Sequence, residues 1–223
     1  METSPYHPNS NRKESTIRTR LLQAGFQEEF VGDDRPPATH YHYGKRGGFY
    51  VEFLAPLVGT EYDRRGRRKA TKEVSGISSQ LLRYVELLMI SPWKIELGEE
   101  NGYPLTPKRT MQIANPASFL AQKILIHRER DYKDRAKDLL YIHDTIEVFS
   151  EHLKELREIF TKEIQPTLHA RRTAELKGAS DGLFGRVGDT IRDAVLMATG
   201  RKLSPQSLAE SARAGPREIF GQA

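Results

Sequence analysis

The sequence predicts an α+β protein in which a small mixed or antiparallel sheet with helices is followed by an α-helical C-terminal region. Before residue 115, short stretches of alternating and aromatic residues are separated by turn residues, a pattern typical of strands. From residue 115 onward, apolar residues recur at the three- and four-residue spacing of amphipathic helices. We therefore divide the chain into a core at 1–114, a helical region at 115–200, and a short helix with a flexible tail at 201–223.

Composition narrows the class of protein further. The chain has 223 residues, a formal net charge of +5 and no cysteine, which excludes disulfides, thiolate metal sites and cysteine nucleophiles. No apolar run approaches the roughly 20 residues that span a bilayer, so we expect no membrane partner. The first residues contain neither a basic segment nor an apolar segment of the kind found in secretion signals, and we expect a cytoplasmic location.

The helices and strands of the first half are predicted from the glycine and turn residues that separate them. A helix is expected from Ser15 to Ala24, because Gly25 supplies a C-terminal cap. The remaining predictions, in chain order, are a β-hairpin of Ala38–Tyr43 and Phe49–Leu54 with its turn at Gly44–Gly48, a short buried helix at Gln80–Ile90, and strands at Trp93–Leu97 and Thr110–Ala114.

The second half begins with a clear helix start. Asn115 is a good N-cap and Pro116 suits the first helical position, where its missing N–H has no consequence, so a helix should run to about Glu129. Further helices are expected at Tyr132–Phe149, at Glu151–Glu163, from Ser180 or Asp181 to Gly200, and in a short segment opened by Ser204 and Pro205, with the final ten residues frayed.

The densest basic run of the chain is a candidate nucleic-acid contact. It comprises Arg64, Arg65, Arg67, Arg68 and Lys69 around a single glycine. Such a run can hold phosphates through point charges and paired donors. The alternative is a solvated loop between two strands.

Lys123 is a candidate phosphate-binding residue. On the helix that starts at Asn115 it lies in a gap between two apolar arcs, and His127 and Arg130 follow it on the same side at i+4 and i+7. A lysine in this position can meet a polyphosphate, or it can extend past the edge of the core into solvent.

The next helix contributes three further polar residues. Asp138 lies at the border of its buried face, where an aspartate is most often a surface ion-pair member, whereas Arg135 and His143 lie inside that face. Arg135 should need an anionic partner. We expect His143 to be a satisfied core histidine, because no second ligand stands beside it at metal-binding spacing.

Glu52 is the candidate acidic residue of the first half. Strand alternation places it on the face opposite Val51 and Phe53. It is either a solvent-facing residue of an edge strand or a metal-binding or base carboxylate that points into a cleft.

Three segments together carry a resemblance to a known family. They are Val51-Glu52-Phe53-Leu54-Ala55-Pro56-Leu57, the helix with Pro116, Phe119 and Lys123, and the helix start with Arg135, Lys137, Asp138 and Leu139. In order and spacing, over about residues 15–150, they resemble the nucleotidyltransferase-fold superfamily. The likeness is to the AbiEii-like group in particular, which includes bacterial toxins of toxin–antitoxin and phage-defence systems.

The resemblance implies a function and a role for each residue. Glu52 would be the third acidic residue of the active site and a ligand of Mg²⁺, Lys123 would contact the triphosphate, and Asp138 would be a further active-site aspartate. Arg130 and Arg135 would help to bind the nucleotide. The implied reaction transfers a nucleoside monophosphate from an NTP to an acceptor, which would be RNA, tRNA or a protein.

One part of the family pattern is missing. Such enzymes carry a Gly-Ser turn and an Asp-x-Asp strand, and neither pair occurs in residues 1–223. We therefore expect weak or no activity from this chain alone. Three explanations for the missing part are open. The gene start is mis-set, the missing part is a separate N-terminal polypeptide or the partner is an antitoxin-like protein, or the domain has lost catalysis. Two alternatives to a nucleotidyltransferase-like function stay open. One is a non-catalytic module that binds nucleic acid or a partner protein through residues 64–69, and the other is an unrelated α+β domain.

Overall fold

The computed structural model describes residues 16–32, 34, 36–44 and 48–221. They form two compact units, of which one ends at Leu82 and the other begins at Arg83. The α+β class is confirmed, since small antiparallel and mixed sheets precede a helical C-terminal region. The domain boundaries at 114 and 200 stay predictions. Within the described ranges, every helix is too short or too polar to cross a membrane.

The first unit opens with a capped helix and an antiparallel sheet. Helix α1 (Ile17–Gln23) starts after Thr16, whose hydroxyl accepts the N–H of Thr19, and it confirms the predicted helix. Strands β1 (Gln27–Val31), β2 (Ala38–His42) and β3 (Tyr50–Glu52) form the sheet in the order β1-β2-β3. The antiparallel pairing of β2 and β3 confirms the hairpin, although part of its predicted turn lies outside the described residues.

A second sheet in this unit corrects two predictions. It is formed by β4 (Leu54–Pro56), β5 (Thr71–Val74) and β6 (Ile77–Leu82), with β4 parallel and β5 antiparallel to the central β6. The predicted strand Phe49–Leu54 is therefore two strands that join different sheets. The predicted helix Gln80–Ile90 is also wrong. Its start belongs to β6, and Tyr84, with φ of 62°, separates that strand from a single 3₁₀ segment at Val85–Met89.

A buried tyrosine ties helix α1 to the first sheet. Tyr41 is completely buried, and its hydroxyl donates to Glu28 at 3.0 Å. Arg18 of α1 binds the same carboxylate with two nitrogens, at 2.9 and 2.8 Å. Burial, with the hydrogen bond to Glu28 as a second cause, raises the pKa of Tyr41 to about 12.

The described residues of the second unit contain one β-hairpin and six α-helices, together with short 3₁₀ and π-helical segments. The hairpin of β7 (Trp93–Leu97) and β8 (Arg109–Ile113) confirms the two predicted strands. The helices are α2 (Pro116–Ile126), α3 (Tyr132–Val148), α4 (Leu153–Ile159), α5 (Ala170–Phe184), α6 (Asp189–Met197) and α7 (Pro205–Phe220). The first three lie where the sequence predicted helices, and the third continues as one π-helical turn at Phe160–Ile164. Side chains from all six helices form one apolar core.

The C-terminal helices differ from the prediction. The expected helix from residue 180 to Gly200 is instead the end of α5 and the whole of α6, which are separated at residues 185–188. Helix α7 is long, and Ile219 and Phe220 near its end are buried, so the predicted frayed tail is wrong through Phe220. Gly215 explains the close packing, because a Cβ atom there would lie 2.6 Å from Ile146 of α3.

Candidate functional site

Helix α2 is fixed at its start by Asn115. The Asn115 carboxamide oxygen accepts the N–H of Ser118 at 2.8 Å, and its nitrogen donates to the carbonyls of Ile90 and Ser91 at 2.8 and 3.1 Å. Asn115 and Ser118 are fully buried. This cap satisfies orphan backbone groups of the helix and holds α2 against the preceding chain. The position of Lys123, two turns later, is therefore well defined.

Three of the predicted site residues meet in one ion cluster. Lys123 donates from Nζ to Oδ1 of Asp138 at 2.7 Å, and Nε of Arg130 lies 3.4 Å from Oδ2 of the same carboxylate. Arg130 also reaches Asp134 at 3.3 Å. The expectation that Asp138 lies at the border of the buried face is wrong, since its side chain is 0% exposed and Lys123 covers it.

The cluster has unused hydrogen-bonding capacity. Oδ2 of Asp138 and Nε of Arg130 are buried, yet neither has a hydrogen-bond partner within the described ranges. Buried polar atoms are usually satisfied, and exceptions concentrate where a ligand, water or ion acts. The 3.4 Å separation of these two atoms is short enough for attraction and too long for a good hydrogen bond.

Two aromatic rings hold the ammonium group of Lys123. Its Nζ lies 5.6 Å from the ring centroid of Phe119 and 5.4 Å from that of Tyr141, distances at which a cation is attracted to an aromatic face. An ammonium group has three N–H donors, and Asp138 accepts one of them. Lys123 remains 14% exposed, so the other donors are not sealed from a ligand.

Arg135 supports the loop that carries Arg130. Its Nε donates to the carbonyl of Arg130 at 2.8 Å and its Nη2 to the carbonyl of Arg128 at 3.1 Å. The expected anionic partner of Arg135 is absent from the part of the chain that the structure describes, and two backbone oxygens take its place. Arg135 thereby fixes the backbone between α2 and α3.

His127 lies one turn after Lys123 and next to the cluster. It is 9% exposed, and its Nδ1 has no hydrogen-bond partner among the residues that the structure describes. Burial lowers the pKa of His127, while the negative charge of Asp138 opposes that shift. Burial therefore favours the neutral form of this imidazole.

His143 behaves as predicted. It is 3% exposed, and its Nδ1 lies 3.0 Å from Asp144, which in turn accepts two hydrogen bonds from Arg201 at 2.9 and 2.6 Å. Arg201 is the main cause of the lowered pKa of Asp144. His143 is a satisfied core histidine.

Glu52 belongs to the first unit. It is in β3, its side chain is 42% exposed, and His40 Nε2 lies 3.3 Å from its Oε2. The ring of His40 stacks on that of Tyr50 with centroids 4.7 Å apart. Glu52 is thus accessible to solvent and has one basic neighbour within its sheet.

The basic run forms a tight turn between β4 and β5. Oδ1 of Asp63 accepts the N–H groups of Arg65 and Arg67 at 2.8 and 3.0 Å, and its Oδ2 accepts Nε of Arg67 at 2.9 Å. Arg68 pairs with Glu61 at 3.1 Å. These contacts fit a solvated loop, but they do not involve every basic side chain of the run. The C-terminal part of the run lines a cleft of about 610 Å³.

No group of three histidine, aspartate or glutamate residues within the described ranges could hold a metal ion. Glu52 offers one carboxylate. Magnesium commonly takes one or two protein carboxylates together with substrate phosphates and water, so Glu52 could supply only part of its coordination.

Comparison with known families decides the class of the chain. The profile of a family described as Nucleotidyltransferase matches residues 5–165, which is well over half of the sequence. The chain belongs to this nucleotidyltransferase family. The matched residues include α2 and α3 and therefore the whole ion cluster. No curated protein and no solved structure matches the chain significantly.

Sequence reasoning missed two members of the cluster. Phe119 and Tyr141 were not singled out as neighbours of the ammonium group. The signal was present, because Phe119 precedes Lys123 by four residues and Tyr141 follows Asp138 by three, so each lies on the same helical face as its neighbour.

Proposed function

We propose that this protein serves the transfer of a nucleoside monophosphate from an NTP to an acceptor hydroxyl, with Lys123 and Arg130 as its phosphate-binding cations. The observation that carries the proposal is an ammonium group held 2.7 Å from a fully buried carboxylate, between two aromatic rings, in a chain of the nucleotidyltransferase family. The finer assignment to the AbiEii-like group belongs to the same proposal.

We assign the role of each residue from the hydrogen-bond donors that its contacts within the protein leave unused. The ammonium of Lys123 and the guanidinium of Arg130 stabilise the negative charge that develops on the transferred phosphate. Asp138 is a positioning residue, since it touches both cations and is buried beneath them. Arg135, assigned to the nucleotide from the sequence, acts instead through the backbone carbonyl of Arg130.

The proposal includes Mg²⁺ with Glu52 as one ligand. The chemistry that a divalent ion supplies when bound is polarisation of a phosphoryl oxygen or of a hydroxyl group. The described residues do not complete such a site, so we assign no step to the metal. Residues 1–223 contain no Asp-x-Asp, and we propose that these residues transfer nucleotide weakly or not at all unless further carboxylates are supplied.

Nucleotide binding tests the proposal independently of turnover. Titration of the purified chain with a fluorescent ATP analogue, with and without Mg²⁺, should show saturable binding. Lys123→Met should weaken that binding at least about tenfold, because loss of one charge-assisted contact is worth about 1.5–3 kcal/mol. Lys133→Met is the matched control, since Lys133 is exposed on the same helix that carries Asp138.

Two results would contradict this assignment. If Lys123→Met is folded by circular dichroism and binds the analogue as wild type does, Lys123 is a structural residue only. If the chain with Mg²⁺ transfers labelled nucleotide to RNA or protein and Lys123→Met has no effect, both the site and the expected weak activity are wrong.

A non-catalytic nucleic-acid-binding module is the second candidate. Its support is the basic turn, in which the side chains of Arg64 and Arg65 have no partner among the residues that the structure describes. Salt-dependent RNA or DNA binding that survives Lys123→Met and is lost in Arg64→Ala/Arg65→Ala would favour this function.

A further inference from the structure

A cleft of about 810 Å³ lies in the second unit between the end of α2 and one face of α5. Small residues on α5 line it, namely Ala174, Gly178 and Gly182 at four-residue spacing. A Cβ atom added to Gly178 or to Gly182 would meet nothing within 4 Å. The cleft is therefore open where Gly178 and Gly182 lack side chains, and a ligand can approach the backbone of α5 closely there.

The walls of the cleft carry an excess of positive charge. Arg128 and Arg171 line it, and neither side chain has a partner among the described residues. The two acidic residues of the lining are already matched. Glu175 accepts a hydrogen bond from Arg172 at 2.8 Å, and Glu129 lies 3.4 Å from Arg83.

A buried, unsatisfied side chain connects the cleft with the Lys123 site. His127 belongs to the lining, is nine-tenths buried, and has no hydrogen-bond partner for Nδ1 within the described ranges. It follows Lys123 by one helical turn, and the charge of Asp138 acts on it. At the wall of an open cleft, such a group can accept a hydrogen-bond partner that the protein itself does not supply.

We propose that this cleft binds a single-stranded nucleic acid through its sugar–phosphate backbone and presents the strand as acceptor to the Lys123 site. Naming the acceptor class in this way rests on the proposed function. Arginine is suited to the task because its planar guanidinium donates to phosphate oxygens in pairs. A volume of about 810 Å³ is in the range of small-ligand pockets, roughly 300–1,000 Å³, and it suits a few nucleotides of one strand rather than a duplex.

The charge arm of the test uses a labelled, short single-stranded RNA in a fluorescence anisotropy titration at several salt concentrations. Each phosphate contact adds about 0.7 to the slope of log Kd against log salt for a single strand. The double variant Arg128→Ala/Arg171→Ala should therefore bind more weakly and lose roughly 1.4 from that slope. The matched control Arg109→Ala/Lys154→Ala removes the same charge from exposed positions outside the cleft and should retain the wild-type slope.

The steric arm changes no charge. Gly178→Leu should fill the cleft and reduce RNA binding at least tenfold, whereas Gly178→Ala should bind within about threefold of wild type. Both substitutions replace a glycine inside a helix with a better helix former, so neither is expected to unfold α5. Weaker binding by the leucine variant therefore reports occupancy of the cleft.

The outcomes separate this inference from its rivals. The inference is overturned if RNA binding is unchanged in both Arg128→Ala/Arg171→Ala and Gly178→Leu. This includes the case in which binding is lost only in Arg64→Ala/Arg65→Ala. Preferential binding of a polyglutamate peptide that Gly178→Leu blocks overturns it in favour of an acidic protein partner. If Lys123→Met leaves nucleotide binding intact while Gly178→Leu abolishes RNA binding, the proposed function fails and the nucleic-acid site stands.

Discussion

Replacing Lys123 with methionine should destabilise the second unit strongly. Asp138 is 0% exposed and Lys123 is its hydrogen-bonded partner at 2.7 Å, whereas Arg130 reaches it only at 3.4 Å. Methionine keeps most of the stem volume but leaves a buried carboxylate with one distant cation. Removal of one member of a buried ion pair costs about 3–5 kcal/mol, and we expect a loss in that range.

Replacing Asp138, the partner of Lys123, should lower the free energy of unfolding by less. In Asp138→Leu the lysine keeps its charge, but its side chain is 14% exposed, so its ammonium can move toward water. We expect a loss of about 1–3 kcal/mol. The double variant Lys123→Met/Asp138→Leu removes both charges and should regain most of the stability lost in the lysine variant, because a buried pair often exchanges for apolar residues at little cost.

The single tryptophan of the chain makes the measurement specific to this unit. Trp93 lies in β7 and contacts Phe149 with ring centroids 5.6 Å apart, so its fluorescence reports unfolding of the second unit. Urea titrations of the wild type, both single variants and the double variant form a thermodynamic cycle. A loss below about 1 kcal/mol for Lys123→Met, or simple additivity in the double variant, would refute the reasoning.

Two further predictions concern pH and packing. The lowered pKa of His127 means that the unfolded chain binds a proton first as pH falls below about 6.5, so stability should decrease from there down to the folded pKa and be unaffected above it. The free energies of unfolding from urea titrations at pH 5.5 and 7.5 should therefore differ less in His127→Gln than in wild type. The effect is at most about 1.4 kcal/mol per pH unit, and an equal difference in the two proteins would contradict the burial argument. Gly178→Ala should stabilise the unit by about 0.5–1 kcal/mol, whereas Gly215→Ala should destabilise it by about 1–3 kcal/mol because its Cβ would meet Ile146 at 2.6 Å. Thermal unfolding of the two alanine variants checks this, and shifts of the same sign would show that the packing is misjudged.

The elements that could be predicted from the sequence have local signals. Asn115 and Pro116 define the start of α2, and the apolar period of α3 is clear over its whole length. Helical spacing placed Lys123 and Arg130 on one side of the predicted helix, and the family resemblance added Asp138. The structure brings all three together. Residues on the facing sides of two helices come together when those helices pack against each other.

The parts that could not be predicted depend on tertiary contacts. Helix α5 contains Gly178 and Gly182, whose low helix propensity argues against a helix, yet packing against α7 and α2 overrides that preference. The burial of Asp138 was missed because the helical pattern alone does not show that Lys123 and Arg130 contact its carboxylate. The split of the predicted strand at Phe53 was missed for a similar reason, since two sheets share one continuous run of strand-forming residues.

The two hydrogen bonds of Arg135 to the loop after α2 have a consequence for ligand recognition. They connect α3, which carries Asp138, to the backbone of Arg130, so the loop is ordered when the protein folds rather than when a ligand arrives. The distance between the two proposed phosphate-binding cations is then a fixed property of the scaffold. A preorganised pair of this kind loses little conformational entropy on binding and discriminates among anions by the spacing of their charges.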